Sequence, residues 1–257
     1  MTLHQTHLSI QDSNGQNVSA NLAEPSTPTD RMVILCHGFL SNKHSRTNRR
    51  LTDLLVEKGI ATLCFDWFGM GDSDGMFADL TVGACCDELK QALWFVRSKG
   101  YTHVGMVGSS YGGLIATLVA SQDPGLSALG LKCPVPDFPE MLQLEFGQDA
   151  MERWQATGEI PDIVGQDQPI ELRYAFYEEC LTYDVYAAAR KILAPTLIVH
   201  GDQDELVPRH QVERLAQSLG GKKSLELLEG ADHHFGKPED FRIMTVLLAN
   251  WMSEYVV

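Results

Sequence analysis

The pentapeptide Gly108-Ser109-Ser110-Tyr111-Gly112 lies between a short apolar run, His103 to Val107, and a helical run, Leu114 to Ala120. A serine on so sharp a strand-to-helix turn is lifted out of the fold with a helix N-terminus behind it, the placement a serine nucleophile needs. Glycines at both ends let neighbouring backbone approach where a Cβ would intrude. The same pattern recurs as Gly71-Asp72-Ser73-Asp74-Gly75, so the pattern alone does not choose. Ser73 is flanked by two aspartates, which oppose an alkoxide or an oxyanion, and Met76 to Leu80 reads as loop rather than helix. Ser110 is therefore the candidate nucleophile and Ser73 a loop residue.

A serine hydroxyl is a poor nucleophile until a base takes its proton, and the base needs an acid to fix its tautomer. Two later segments offer both. Leu197 to Val199 runs into His200-Gly201-Asp202-Gln203-Asp204-Glu205, and Leu225 to Leu228 runs into Glu229-Gly230-Ala231-Asp232-His233-His234. Serine, acid, then histidine is the chain order of hydrolases with this nucleophile turn. From the residues alone, Asp202 and Asp204 both qualify as acid, and His233 and His234 as base.

The elements that must carry these residues alternate. His7 to Ile10 and Val18 to Ala23 read as a hairpin around Asp12-Ser13-Asn14-Gly15, whose Asn-Gly is a strong turn signal. Met32 to Cys36 is a continuous apolar run, as expected of a strand covered on both faces, and Ile60 to Phe65 reads as the next buried strand. Thr47 to Lys58 reads as a helix ended by Gly59. Cys86, Leu89, Leu93 and Val96 line one face of a helix over Val82 to Lys99. Strands at His103 to Val107, Leu129 to Cys133, Thr196 to Val199 and Leu225 to Leu228, with helices at His210 to Leu219 and Glu239 to Tyr255, complete the set. Such alternation predicts an α/β fold, a mostly parallel sheet with helices on both faces. Residues 134–190, opened by Pro134, Pro136 and Pro139, contain no convincing buried strand and read as helices and turns. They are expected to form an inserted cap on a core made of residues 1–133 and 191–257, lying over the carboxyl ends of the strands where ligands bind.

At 257 residues with 44% hydrophobic and 21% charged content, the chain is ordinary for one large globular domain. A net charge of −14 argues against a nucleic-acid or anionic-membrane partner, since both require a cationic face. No secretory signal is visible in the polar N-terminal stretch, and no apolar run approaches the ~18 residues that span a bilayer, so the expected address is the cytoplasm. The six cysteines lack metal-type spacing and read as structural thiols. No zinc-type ligand pattern and no dinucleotide fingerprint after the first strand is present, so neither metal nor cofactor is expected. The expected partner is a small-molecule ester, with a homodimer left open.

With its boxes placed, the chain resembles the α/β-hydrolase superfamily over nearly all of its length. His37-Gly38, Asp66-Trp67-Phe68-Gly69-Met70-Gly71-Asp72-Ser73, the Ser110 turn, His200-Gly201-x-x-Asp204 and Gly230-x-x-His233 occur in the superfamily's order. The resemblance implies Asp204 as the acid and His233 as the base. It also implies an oxyanion hole made by the backbone N–H groups of Phe39 and Tyr111, whose side chains are then free to line a pocket. Asp202 is left to hydrogen-bond within its own loop, His234 to fill space or meet solvent, His200 to be a satisfied histidine at the sheet edge, and His37 to brace its loop.

The cap carries twelve acidic and three basic residues, a net of −9. Aromatic and apolar residues interleave with them, and Phe138, Met141, Tyr174 and Tyr177 are the expected pocket residues. A neutral, moderately hydrophobic acyl or aryl ester suits such a pocket, whereas an acidic rim disfavours phosphorylated or coenzyme A-linked acyl groups. Within the superfamily the chain looks most like small cytoplasmic carboxylesterases, including those that cleave hydroxycinnamoyl esters. The Gly108 to Gly113 turn also occurs in acyl-peptide hydrolases, so amide cleavage is the alternative, and a non-catalytic ligand-binding homologue is the contrasting class.

Overall fold

The computed structural model describes residues 5–161 and 169–257. Strands β1 (Gln5–Gln11) and β2 (Asn17–Ala23) form the expected hairpin. Gly15 turns with φ 81°, and the Asp12 carboxylate accepts the Asn14 and Gln16 amides across the turn. Next come β3 (Arg31–Cys36), α1 (Arg46–Glu57), β4 (Ala61–Phe65), α2 (Val82–Ser98), β5 (His103–Ser109), α3 (Tyr111–Ala120) and β6 (Ala128–Lys132). Residues 134–190 carry α4 (Phe138–Thr157), β7 (Glu159–Ile160), β8 (Ile170–Glu171), α5 (Ala175–Cys180) and α6 (Val185–Ala189). The chain ends with β9 (Thr196–Gly201), α7 (Arg209–Ser218), β10 (Lys223–Leu228) and α8 (Pro238–Tyr255).

Eight strands form one sheet in the order β1-β2-β4-β3-β5-β6-β9-β10, antiparallel at β1-β2 and β2-β4 and parallel elsewhere. Pleating divides its side chains between two layers. Met32, Ile34 and Cys36 face the cluster built with α2 and α3, and Val33 and Leu35 face the cluster built with α1 and α8. All five are buried, which is why β3 reads as an unbroken apolar run. Each such Ile or Leu stabilises the fold by about 2 kcal/mol through area removed from water. Among the described residues no helix is long and apolar enough to cross a membrane.

Residues 134–190 connect β6 to β9, which are neighbours in the sheet. Besides helices and turns they hold the two-residue antiparallel ribbon β7-β8, an addition to the sequence expectation. Helix α4 starts on Asp137, whose carboxylate accepts the Glu140 amide, and is broken at Gly147, where φ 70° and ψ 169° leave helical space. Its second half turns away and packs Trp154 against Tyr174 and Tyr177. Part of the expected cap, residues 162–168, lies outside the described residues.

Candidate active site

Ser110 links β5 to α3 with φ 52° and ψ −117°, a conformation that costs a non-glycine residue about 1–3 kcal/mol. Its neighbours make the turn feasible. A Cβ on Gly108 would meet the Gly112 carbonyl oxygen at 2.4 Å, and one on Gly112 would meet the His37 carbonyl oxygen at 2.4 Å. Ser110 N–H donates to Lys132 O (2.9 Å), tying the turn to β6, and Ser110 O accepts from Gly113 N–H (2.8 Å).

The structure brings Ser110, Asp204 and His233 together from three strand ends. Ser110 Oγ and His233 Nε2 are 3.2 Å apart, and His233 Nδ1 lies 2.8 Å from Asp204 Oδ2 and 3.0 Å from Oδ1. In the tautomer this network selects, Nδ1–H donates to the carboxylate and Nε2 accepts from the hydroxyl. Asp204 Oδ1 also accepts the amides of Leu206 and Val207 (3.0 and 2.8 Å). Burial alone would raise the Asp204 pKa, but the His233 contact and the Val207 amide outweigh it and bring it to about 2. Burial, reinforced by the nearby Lys132 ammonium, lowers His233 to about 4 against the pull of Asp204. At neutral pH the pair is thus carboxylate and neutral imidazole, the state in which an imidazole can accept a proton.

Close contact between the loops after β9 and β10 sets this geometry. A Cβ on Gly201 would meet Ala231 O at 2.2 Å, and Gly230 turns with φ 69°. Asp202 departs from its expected role: its Oδ1 accepts Gly230 N–H (2.6 Å), bracing the histidine loop rather than its own. Two further braces carried no motif. Glu205 accepts His233 N–H (3.1 Å), and Lys132 Nζ donates to His233 O (2.5 Å). A lysine at the carboxyl end of an otherwise apolar strand was the available signal for the second.

His37 is buried, with Nδ1–H donating to Gly38 O (2.8 Å) and Nε2 accepting from Trp67 N–H (3.2 Å), as expected of a brace. His234 is exposed, its ring 5.2 Å from that of His233. His200 departs from its expectation. It sits fully buried on the penultimate strand, with Nδ1 3.5 Å from Asp204 Oδ2 and neither ring nitrogen hydrogen-bonded among the described residues. Cys133, His200 and Asp204 place their donor atoms within 4.8 Å of one another. Burial pushes the Cys133 thiol well up, and the Asp204 carboxylate is already engaged by His233.

A cavity of about 580 Å³ opens on Ser110 and His233. Phe39, Phe138, Met141, Leu142 and Phe146 give it an apolar wall. Arg46, Lys132, Glu145 and Glu205 are the charged residues of its lining, with hydroxyl residues Ser41, Ser45 and Thr47 beside them. A Cβ on Gly38 would lie 3.4 Å from that of Ser110, so the Phe39 loop sits directly beside the serine. Among the described residues neither the Phe39 nor the Tyr111 amide is spent on a loop, cap or side-chain acceptor. The Tyr111 side chain turns inward to Cys85 instead of lining the cavity.

Two of the expected pocket residues lie elsewhere. Tyr174 and Tyr177 line a separate cavity of about 300 Å³ with Gln143 and Met151, because the break at Gly147 directs that end of the segment onto Trp154. Among the described residues, the acidic groups lining the Ser110 cavity are Glu145 and Glu205, opposed by Arg46 and Lys132. Other acids of the segment serve structure. Glu140 holds His210 and Gln211, and Glu179 accepts the Val82 and Gly83 amides at the start of α2.

A family model described as the alpha/beta hydrolase family matches residues 33–242, most of the chain and every residue of this constellation. The chain belongs to that family. The hydrolase resembles Est1E from Butyrivibrio proteoclasticus, solved with ferulic acid bound, at TM-score 0.84 and 25% identity over 97% of this chain and 99% of the other. Mouse alpha/beta hydrolase domain-containing protein 10 superposes at TM-score 0.79 with 21% identity, covering 97% of this chain and 99% of that one. By sequence, the rat mitochondrial palmitoyl-protein thioesterase ABHD10 is 21% identical over 222 residues, 82% of this chain and 72% of the relative. Family and neighbours agree with an ester-type hydrolase.

Proposed function

We propose that the protein is a serine carboxylesterase that cleaves neutral, moderately hydrophobic acyl or aryl esters through an acyl-enzyme on Ser110. One observation carries the reading: a serine hydroxyl 3.2 Å from an imidazole that is backed by a buried carboxylate, lining a largely apolar cavity. His233 takes the Ser110 proton as Oγ attacks the ester carbonyl carbon, and the Phe39 and Tyr111 amides hold the oxyanion. Collapse of the tetrahedral adduct breaks the carbon–oxygen bond, and the alcohol leaves with the proton carried by His233. Water, deprotonated by His233, then attacks the acyl carbon; the bond to Ser110 Oγ breaks, Oγ regains its proton from His233 and the acid is released. Asp204 orients the imidazole and stabilises its charged form. Residues 134–190 act as the cap, with Phe138 and Met141 contacting the substrate. All six cysteines are buried and unpaired, which supports a reducing compartment such as the cytoplasm.

The test is a panel of aryl esters of increasing acyl length, a hydroxycinnamate ester and an aminoacyl anilide, together with fluorophosphonate labelling. The esters turn over, the anilide turns over far more slowly, and label is found on Ser110. An unlabelled Ser110 in a folded protein, or anilide turnover matching the esters, would overturn the reading.

A further inference from the structure

Lys132 is a rarity, a lysine 5% exposed inside the fold. It lies on β6 two residues after Gly130, whose Cβ would meet Leu248 and Met252, so both positions face α8. Its stem extends beneath the histidine loop, where Nζ donates to His233 O (2.5 Å) across 101 residues of sequence and sits 5.5 Å from the Phe235 ring centroid. Among the described residues no carboxylate is ion-paired with it, although Asp66, equally buried, is paired with Lys43. An unneutralised ammonium is costly to bury, and its bond to the backbone of a histidine whose imidazole must stay uncharged offers a reason for it.

Other charged groups around His233 act in both directions. Asp204 faces Nδ1 from the loop after β9 and favours the imidazolium, and Glu205 from the same loop accepts the His233 amide. His234 adjoins it on its own loop, His200 lies behind Asp204, and Glu145 of α4 and Arg46 of α1 border the shared cavity. Of the permanent cations among these, Lys132 alone is both buried and bonded to the His233 backbone. It lowers the affinity of His233 for a proton, second only to burial.

We propose that Lys132 is a positioning residue for this site: its buried ammonium anchors the His233 carbonyl and, by its charge, keeps the imidazole neutral and able to accept the Ser110 proton. The inference rests on the esterase reading. It predicts that the enzyme keeps working at mildly acidic pH, where an ordinary histidine would already be protonated.

The experiment compares the acid limb of kcat/KM on a neutral aryl ester for the wild type, Lys132→Met, Lys132→Gln and Lys132→Arg, with the pH dependence of fluorophosphonate labelling alongside. The Met and Gln variants lack the charge, so their acid limbs move up by about one pH unit, while Arg stays close to the wild type. A solely structural role would reduce kcat in the variants and leave the limb in place. Coincident limbs in wild type and Gln variant therefore overturn the proposal, even if the Met variant does not fold. A wild type that neither turns over esters nor takes the label sinks the esterase reading and this one with it. A labelled, active wild type with unmoved limbs sinks this one alone.

Discussion

Two loops of this molecule share the pattern Gly-x-Ser-x-Gly and use it in opposite ways. At Ser110 the backbone is forced into positive φ, and the hydroxyl points to an imidazole at the edge of a cavity. At Ser73 both hydrogen-bonding capacities of the hydroxyl are consumed by backbone. It donates to Asp66 O (2.7 Å) and accepts from Ser19 N–H (2.9 Å), tying the loop to β2. The surroundings differ as much. Around Ser73, Lys43 joins Asp66 and Asp72 through Nζ (2.5 and 2.6 Å), Asp72 N–H donates to Asp66, and Glu88 accepts Phe68 N–H (3.0 Å). A serine becomes reactive when a base is left free to face it, and becomes a rivet when main-chain groups occupy it.

The sharpest way to break this contrast is to remove each hydroxyl. Ser110→Ala should cut ester turnover by about a millionfold, as loss of a nucleophile acting in a triad can. Ser73→Ala should retain turnover within a few-fold and lose only about 1 kcal/mol of stability. Steady-state kinetics and urea unfolding of both variants check this. The reverse pattern of turnover would show that the roles are exchanged.

The next effect concerns the charges that hold the Ser73 loop. Asp66 is fully buried, and Lys43→Met would leave its carboxylate without a cation, costing about 3–5 kcal/mol in urea unfolding. Unfolding midpoints that do not change would mean that the ion pair is not what rigidifies this loop.

The smallest effect separates the loops by pH. Burial pushes Glu88 up to about 8, against the partial opposition of the Phe68 amide. Its folded pKa lies above the ordinary carboxylate value, so the stability it contributes is complete at low pH and is lost as pH rises toward 8. Glu88→Gln escapes that loss, and its melting temperature should overtake the wild type by a few degrees between pH 5 and pH 8.5. His233 has the opposite sign. Its folded pKa is lowered, so its contribution is present above the ordinary histidine value and is lost as pH falls toward 4. A Glu88→Gln advantage that is the same at both pH values would remove the assigned cause.

Much of this was legible along the chain, and the reasons are local. Met32 to Cys36 is apolar throughout, and Ala61 to Phe65 is interrupted only by Thr62, because both faces of these interior strands are covered. The hairpin turn follows from Asn14-Gly15, because the backbone geometry of one residue decides it. The misreadings came where a side chain's partner lies far off in sequence. Asp202 reaches the histidine loop, His200 lies inside the sheet rather than at its edge, and Tyr174 and Tyr177 follow Trp154 away from Ser110. Residues 134–190 were the hardest to place, since the direction of α4 changes at Gly147, whose backbone conformation favours glycine but which no packing contact marks.

Periodicity and turn chemistry along the chain were sufficient for the order of strands and helices, and for the three strand-end loops that hold Ser110, Asp204 and His233. Such signals are sufficient because burial and backbone conformation act residue by residue. Which lysine meets the histidine loop and which aromatics face the serine depended on folding. Those outcomes depend on ångström-scale contacts between loops tens of residues apart, such as Gly201 against Ala231 and Lys132 against His233, for which the linear pattern carries no signal.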